Sequence, residues 1–276
     1  MAFVRRHNSI CDRDAPTINF YPMLPGPHSS MALILPRIGA RIGHSPRSDG
    51  LTMAWDTGTW FSPRASRRLP DSAVNRRCID ISKSTVDDLW ARAAGYSITV
   101  DPLVTDGPFV VKPDLNGRHA GRVVVGPIKM RERGMVYQLL VDGRLPEGRN
   151  PDGHGSDGEI LQMRVVIIGS RIVLTYVKWR RYPKWFSGTE ITLPRSTDEY
   201  LSAAEQDLLL RFADSIGLEY GELDTLRDRE SGRIYVVDAN RTPAQPLKLA
   251  ADLFDDAFRP QADALSAILR ERLAAS

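Results

Sequence analysis

Apolar positions along the chain change period several times, and each change marks a different element. From Thr17 to Tyr21 the run Thr-Ile-Asn-Phe-Tyr reads as a short strand that meets a breaker, Pro22-Met-Leu-Pro-Gly-Pro27. Ser29 and Ser30 stand where a helix through Met31, Leu33, Ile34 and Leu35 needs an N-cap, and Pro36 is expected to end or kink it. Gly50 to Trp60 reads as another strand and turn. These pieces predict a small βαβ-like unit, preceded by a polar, basic and frayed stretch (residues 1–14) and followed by a basic linker from Phe61 to Asp71.

A second unit is expected to begin near Asn75. Ser84 or Thr85 caps a helix in which Val86, Leu89, Trp90 and Ala93 fall at helical spacing, Asp87 and Asp88 favour its N-terminal dipole, and Gly95 stops it. Phe109 to Pro113 (Phe-Val-Val-Lys-Pro) is a strand with Lys112 near its end, Gly117 to Gly121 a loop, and Arg122 to Val125 a further strand. Val136 to Val141 is apolar again, while Pro146 to Gly158 reads as a mobile loop in which His154 is solvated. Leu161 to Ile168 and Ile172 to Lys178 pair through a hairpin signal at Gly169-Ser170. Ser202-Ala-Ala-Glu205 is a capping box for a helix with Leu208, Leu209, Phe212 and Ile216 on its inner face, closed by Gly217. Pro246 to Leu273 carries one or two amphipathic helices expected on the sheet's outer face.

The stretch from Gly221 to Pro243 predicts two strands joined at Glu230, Ser231 and Gly232, with Ser231 at the apex and Asp224 opposite Asp238. Cross-strand Cβ atoms are about 4.5 to 5.5 Å apart and like charges there repel, so a cation between the two acids is one resolution. Asn240 projects from the same face. Three oxygen donors without His or Cys suit a hard ion, and Mg2+ held by one or two carboxylates usually brings phosphates with it. The other resolution is a solvent-facing hairpin whose acids pair with Arg227, Arg233 or Arg241.

Composition adds limits. The 276 residues, 42% hydrophobic and 26% charged, suit a globular chain of one large or two to three small units. No apolar run approaches the roughly 18 to 20 residues of a membrane span, and the start lacks a signal core, so a cytoplasmic location is expected. Cys11 and Cys78 have no metal-ligand spacing, and a buried thiol is the expectation for each. With 37 basic and 34 acidic residues, the net charge of +3 does not by itself announce nucleic acid. Basic residues matter where they cluster, as in Lys178-Trp-Arg-Arg-Tyr-Pro-Lys-Trp185, a phosphate- or carboxylate-binding cleft wall or a surface for an anionic partner such as RNA. Lys112 followed by the two-glycine loop reads as a candidate phosphate cradle, since bare backbone N–H groups and a lysine can both approach phosphate oxygens, or as an ordinary hairpin, many of which carry two glycines and a lysine.

Taken in order, residues 75 to 245 resemble the ATP-grasp superfamily, its carboxylate-amine ligases in particular. Lys83, in Asp-Ile-Ser-Lys, matches the lysine that opens a lid helix. Lys112, in Val-Val-Lys-Pro, matches the second lysine, and Gly117 to Gly121 the loop over the phosphates. Gln138, Leu139 and Leu140 resemble the hinge at the adenine, Asp142 the ribose contact, and Arg164 the arginine at the terminal phosphate. Asp224, Asp238 and Asn240 match the metal ligands. The pattern departs in Asp238 for the usual glutamate, in Arg118, His119 and Ala120 within the loop, and in Arg-Thr-Pro-Ala-Gln-Pro after Asn240.

The resemblance implies an α+β / α/β fold in which two α+β subdomains clamp a nucleotide. Its expected divisions are a small N-terminal domain (1–74) bearing acceptor specificity, a lid subdomain (75–141) and a C-terminal subdomain with the metal site (142–276). ATP and Mg2+, or Mn2+, are the implied cofactors. The implied reaction joins a small-molecule or peptide carboxylate, through an acyl phosphate, to an amine, without a nucleophilic side chain. Lys112, Arg164 and Arg180 are the expected catalytic residues, and Lys83, Lys112, Gly117, Gly121, Gln138, Leu139, Leu140, Asp142, Arg164 and Lys178 the nucleotide contacts. Alternatives are an ATP-grasp kinase with His119 as base and a non-catalytic anion- or nucleic-acid-binding module. No membrane partner is expected, nucleic acid is the lesser candidate partner, and the oligomeric state, a homodimer included, stays open.

Overall fold

The structure, a computed structural model, describes residues 1–46, 50–118, 120–145, 159–186 and 188–274. The first turns are helical, not frayed: in α1 (Ala2–Ile10) Phe3 and Val4 pack on the main core, and His7 is buried with Nε2 2.8 Å from Ala40 O. β1 (Thr17–Pro22), the crossover helix α2 (Met31–Ile38), β2 (Arg41–Gly43) and β3 (Leu51–Trp55) form the expected βαβ-like unit, a parallel sheet in the order β2-β1-β3. Pro36 stays inside α2, two residues from its end, and the serines do not cap it, because Ser29 Oγ donates to Gly26 O and Ser30 Oγ to Ala244 O. The linker expected from Phe61 to Asp71 is packed. Phe61, Ala65 and Leu69, around α3 (Pro63–Ser66), are buried against Ala54 and Ala73.

α4 (Lys83–Ala94) starts one residue after Ser82, whose Oγ accepts from Thr85 N. The predicted caps are engaged elsewhere, since Ser84 N and Oγ both donate to Asp114 and Thr85 Oγ1 donates to Asp80. Asp87 does not serve the helix dipole either; it accepts from Ser97 Oγ and from the Ile98 and Thr99 amides, and so shapes the exit. β4 (Gly107–Pro113), β5 (Arg122–Gly126) and β6 (Met135–Leu139) make a small antiparallel sheet, ordered β5-β4-β6, over Phe109, Val111 and Tyr137.

A five-stranded antiparallel sheet follows: β7 (Glu159–Ile168), β8 (Arg171–Arg181), β9 (Thr189–Arg195), then α5 (Ala203–Ile216) and the hairpin β10 (Tyr220–Arg227) and β11 (Ile234–Asn240), ordered β11-β10-β7-β8-β9. The capping box of α5 is present as expected. Alternation along the strands gives the sheet two faces. One face, with Met163, Val165, Val177, Trp179 and Leu223, packs on α4 and α5 through Val86, Trp90, Leu209 and Phe212. Helix α4 therefore shares its core with strands beyond residue 159, although the expected boundaries group it with the lid. The other face is apolar at one end only. There Val166, Ile168, Leu174, Tyr176 and Tyr220 meet the N-terminal unit and α6 (Phe254–Ala274), a single helix wedged between α2 and the sheet, not laid on an outer face.

Two buried polar side chains tie the N-terminal unit to this sheet. Asn75, at φ 62°, accepts from Glu219 N and Tyr220 N and donates to Tyr220 O at 2.6 Å. Arg241, fully buried, donates to Asp56 O, Gly58 O and Cys78 O with its guanidinium over the Phe61 ring. Cys78 is buried, and burial pushes its thiol up to about 11, whereas Cys11 is half-exposed, contrary to expectation, with Sγ 3.4 Å from His7 Nε2. Asn75→Ala strands several buried backbone groups, so it should cost about 3 kcal/mol. A fall in unfolding midpoint of several degrees is the expected result of a thermal melt, and an unchanged melt would remove Asn75 from this role.

Candidate functional site: the charged half of the sheet face

The hairpin pairs as its sequence suggests, by a longer route. Asp224 lies opposite Asp238 and Glu222 opposite Asn240, but the turn spans 228–233, and a bulge between Asp224 and Thr225 restores the register. The strands are close there, for a Cβ on Gly221 would lie 2.3 Å from Asn240 O. The arginines considered as neutralisers act elsewhere: Arg227 pairs with Glu205, Arg233 lies over Tyr96, and Arg241 holds the backbone of the N-terminal unit. The acids are met by cations from β7, β8, α4 and β4 instead.

Arg164 Nε and Nη2 donate to Asp224 Oδ1 and Oδ2 at 2.6 and 2.8 Å, and Lys178 Nζ lies 3.5 Å from Oδ1. Burial would raise the Asp224 carboxyl, but these cations outweigh it and hold the group well below the usual carboxylate range. Asp238 is different. Its Oδ1 is buried with no hydrogen bond, Lys83 Nζ is 3.8 Å away, and burial pushes the carboxyl up. Glu222 is 1% exposed, neither oxygen has a hydrogen bond, and Arg164 Nη1 at 3.2 Å is its closest cation; burial raises it as well.

The cations have partners of their own. Lys112 Nζ donates to Val237 O at 3.0 Å and Lys83 Nζ to Leu115 O at 2.9 Å. Burial lowers Lys112 and Lys178 each to about 8, against the pull of Asp238 and Asp224 respectively. Arg180, 8% exposed and also lowered by burial, gives Nη1 to Trp185 O, while its Nε has no partner. Asn116 bridges the units: its amide donates to Thr59 Oγ1 at 2.9 Å, and its Nδ2 lies 3.3 and 3.4 Å from Ala239 O and Asn240 Oδ1.

Lys83, Lys112, Arg164, Lys178, Arg180, Asp224, Asp238 and Asn240 are thus gathered around one half of a sheet face and its β11 edge. Glu222 and Asn116 join them without having been predicted. Glu222 was within reach, because it stands two residues before Asp224 and must share its face; Asn116 carries no sequence signal. The glycine loop lies alongside, where Gly117 has open space and a Cβ on Gly121 would lie 2.9 Å from the Phe186 ring. His119 and His154 lie outside the described residues.

The hinge residues are placed less simply. Gln138 is buried, the Leu139 amide is already given to Ile98 O, and the Leu139 side chain is exposed, which removes that amide as a base contact. Asp142, the residue expected at the ribose, is held by Arg144 through Nε at 2.8 Å, and that hydrogen bond keeps its carboxyl low. Leu139, Leu140, Asp142 and Arg144 line an open cavity of about 680 Å³ bordered by the hairpin turn.

Among the described residues no three acidic, His or Cys side chains converge on a metal position. Two carboxylates and the Asn240 amide oxygen nonetheless suit a hard divalent cation, and Asp238 Oδ1 makes no hydrogen bond. Asp224 would have to exchange Arg164 for it. No described helix is long and apolar enough to cross a membrane.

Solved structures share this architecture at low identity. One is the ATP-grasp ligase PsnB complexed with minimal precursor, Mg and ADP, with a TM-score of 0.59 and 14% identity over 93% of this chain and 97% of that one. Another is macrocyclase MdnC from Microcystis aeruginosa MRC bound with precursor peptide MdnA, with a TM-score of 0.53 and 12% identity over 93% and 99%. The chain has the ATP-grasp fold and the α+β class expected from its motifs. No protein-family model and no curated protein matches the sequence.

A lysine lowered by burial keeps its proton less readily folded than unfolded. Between about 8 and its ordinary value the unfolded chain then binds more protons, and stability rises with pH. The wild type should therefore gain stability relative to Lys178→Met as pH goes from about 8 towards 10. Parallel melting curves for the two proteins across that window would contradict the assignment.

Proposed function

We propose that this chain, with its ATP-grasp fold, is a Mg2+- and ATP-dependent ligase that activates a carboxylate as an acyl phosphate and delivers it to an amine, with a peptide as the carrier of one or both groups. The observation that carries this reading is the meeting of Asp224, Asp238 and Asn240 with Lys83, Lys112, Arg164, Lys178 and Arg180 on one half-buried sheet face. Opposed carboxylates suit a divalent cation, and surplus buried cations suit a polyanion. Further support comes from the fold neighbours, of which PsnB was solved with a minimal precursor, Mg and ADP, and MdnC with a precursor peptide.

The bound cation and nucleotide would supply charge neutralisation and the transferable phosphoryl group. Asp224, Asp238 and Asn240 would hold the cation, the last two from one strand whose end Arg241 fixes. Lys112 and Lys83 would give up Val237 O and Leu115 O for phosphate oxygens, with the glycine loop alongside. Arg164 and Lys178 would face the terminal phosphate, and Arg180, whose Nε has no partner, the substrate carboxylate. In the proposed reaction the substrate carboxylate would take the γ-phosphoryl group with loss of ADP; the amine nitrogen would then bond to the acyl carbon while the acyl C–O bond breaks, phosphate leaving with that oxygen and the amine proton passing to solvent. Positioning and charge carry the reaction. The N-terminal unit, which meets Arg241 through Gly58 and Ala244 through Ser29, would carry acceptor specificity.

Asp238→Asn should weaken Mg2+-ATP binding at least tenfold by titration calorimetry; an unchanged affinity would remove the cation assignment. Arg180→Ala should raise the KM for the carboxylate substrate at least tenfold with little change in that for ATP, and the reverse pattern would move Arg180 to the nucleotide. A ligase releases inorganic phosphate only when carboxylate and amine are both present. Phosphate retained on the acceptor, seen by phosphorus NMR, would sink the ligase reading in favour of a kinase.

A further inference from the structure

Arg164 serves two carboxylates that are not equivalent. Asp224 takes both of its parallel hydrogen bonds, at 2.6 and 2.8 Å, and has Lys178 beside it. Glu222, two residues earlier on the same face, has only the third guanidinium nitrogen at 3.2 Å, off the hydrogen-bond direction, and both of its oxygens are unsatisfied. A carboxylate 1% exposed and left so is expensive, and a glutamine would avoid the charge at similar volume. The charge is intelligible if Glu222 gains a full partner in another state of the site. Arg164 leaving Asp224 offers one, since its guanidinium already reaches both acids and can present its fork to either.

We propose that Arg164 is the resident counter-ion of Asp224, and that Glu222 is the positioning residue that receives it when cation and nucleotide claim Asp224. Resting on the nucleotide reading above, this assigns a binding order. A free divalent cation meets a carboxylate already neutralised by a bidentate arginine, so it loads poorly alone and well together with the triphosphate, whose charge draws Arg164 away. Glu222 then keeps Arg164 on the sheet, beside the terminal phosphate. In this scheme Glu222 does not ligate the cation, in keeping with the lack of a three-acid cluster among the described residues.

Mn2+ binding to the full chain, followed by electron paramagnetic resonance with and without a non-hydrolysable ATP analogue, tests this without turnover. The wild type should bind Mn2+ at least tenfold more tightly with the analogue than alone. Arg164→Met, which leaves Asp224 with Lys178 but without its bidentate partner, should raise affinity for Mn2+ alone at least tenfold. Glu222→Gln should weaken binding of Mn2+ with the analogue about tenfold in the wild type but less than threefold in the Arg164→Met background, because the effect runs through Arg164. An Arg164→Met protein with no gain, or a Glu222→Gln effect equal in both backgrounds, as a direct ligand or a general structural role would give, overturns the inference alone. A wild type that binds no Mn2+ even with the analogue overturns the nucleotide reading and this inference with it.

Discussion

Two carboxylates placed opposite each other on neighbouring strands must be neutralised, and the cleft is arranged around how that is done. Asp224 and Asp238 share a rung of the β10–β11 ladder, yet they are handled differently. Asp224 sits mid-sheet and takes Arg164 and Lys178 from β7 and β8, whereas Asp238, on the outermost strand, faces the lid and α4, where Lys83 and Lys112 answer it at longer range. The sheet order places β11 at an edge, and that edge is where β4 and the segment after it dock. Lys112 and Asn116 reach Val237 O and Ala239 O, carbonyls that an inner strand would have given to its neighbour.

That docking requires the hairpin to be immobile relative to the N-terminal unit. Asn75 and Arg241 supply this with buried polar side chains, each satisfied by backbone groups across the seam. Such networks are costly when incomplete and specific when complete. Arg241 follows Asn240 directly, so the residue that fixes the strand end also sets the direction of the amide beside it. The apolar half of the same face, from Val166 to Tyr220, presses on α6 and the N-terminal sheet, which leaves the charged half as the floor of the cleft.

Much of this arrangement was legible in the sequence because it depends on local periodicity. The alternation in β10 and β11 places Asp224 against Asp238 even though the turn is longer than its three-residue signal, since the bulge absorbs the difference. Lys112, Arg164 and Lys178 stand on strands whose period is clear. What was missed depends on distant partners. The Phe61–Asp71 segment looks like a linker in isolation and becomes ordered only when Ala54 and Ala73 cover it. Helix α1 is held by the carbonyl of Ala40, and Ser84 is drawn from capping by Asp114, thirty residues on. At the hinge the strand was visible, but the use of its Leu139 amide by Ile98 was not, because the pairing segment is only the short run Ile98-Thr99-Val100 before Asp101-Pro102.

Gly221 shows how a position without chemistry can be held as tightly as the acids around it. Any side chain there would strike the carbonyl of Asn240 at 2.3 Å, and the Leu218 methyl at 2.7 Å closes the other way out. The obstacle on one side is backbone, which a rotamer change cannot move aside. In a saturation survey of this chain, residue 221 would therefore score as intolerant as Asp238, so a ranking by sensitivity alone would mix steric necessity with catalysis. Separating the two needs isosteric replacements such as Asp238→Asn, which spare an acid's geometry while removing its charge and have no counterpart at a glycine.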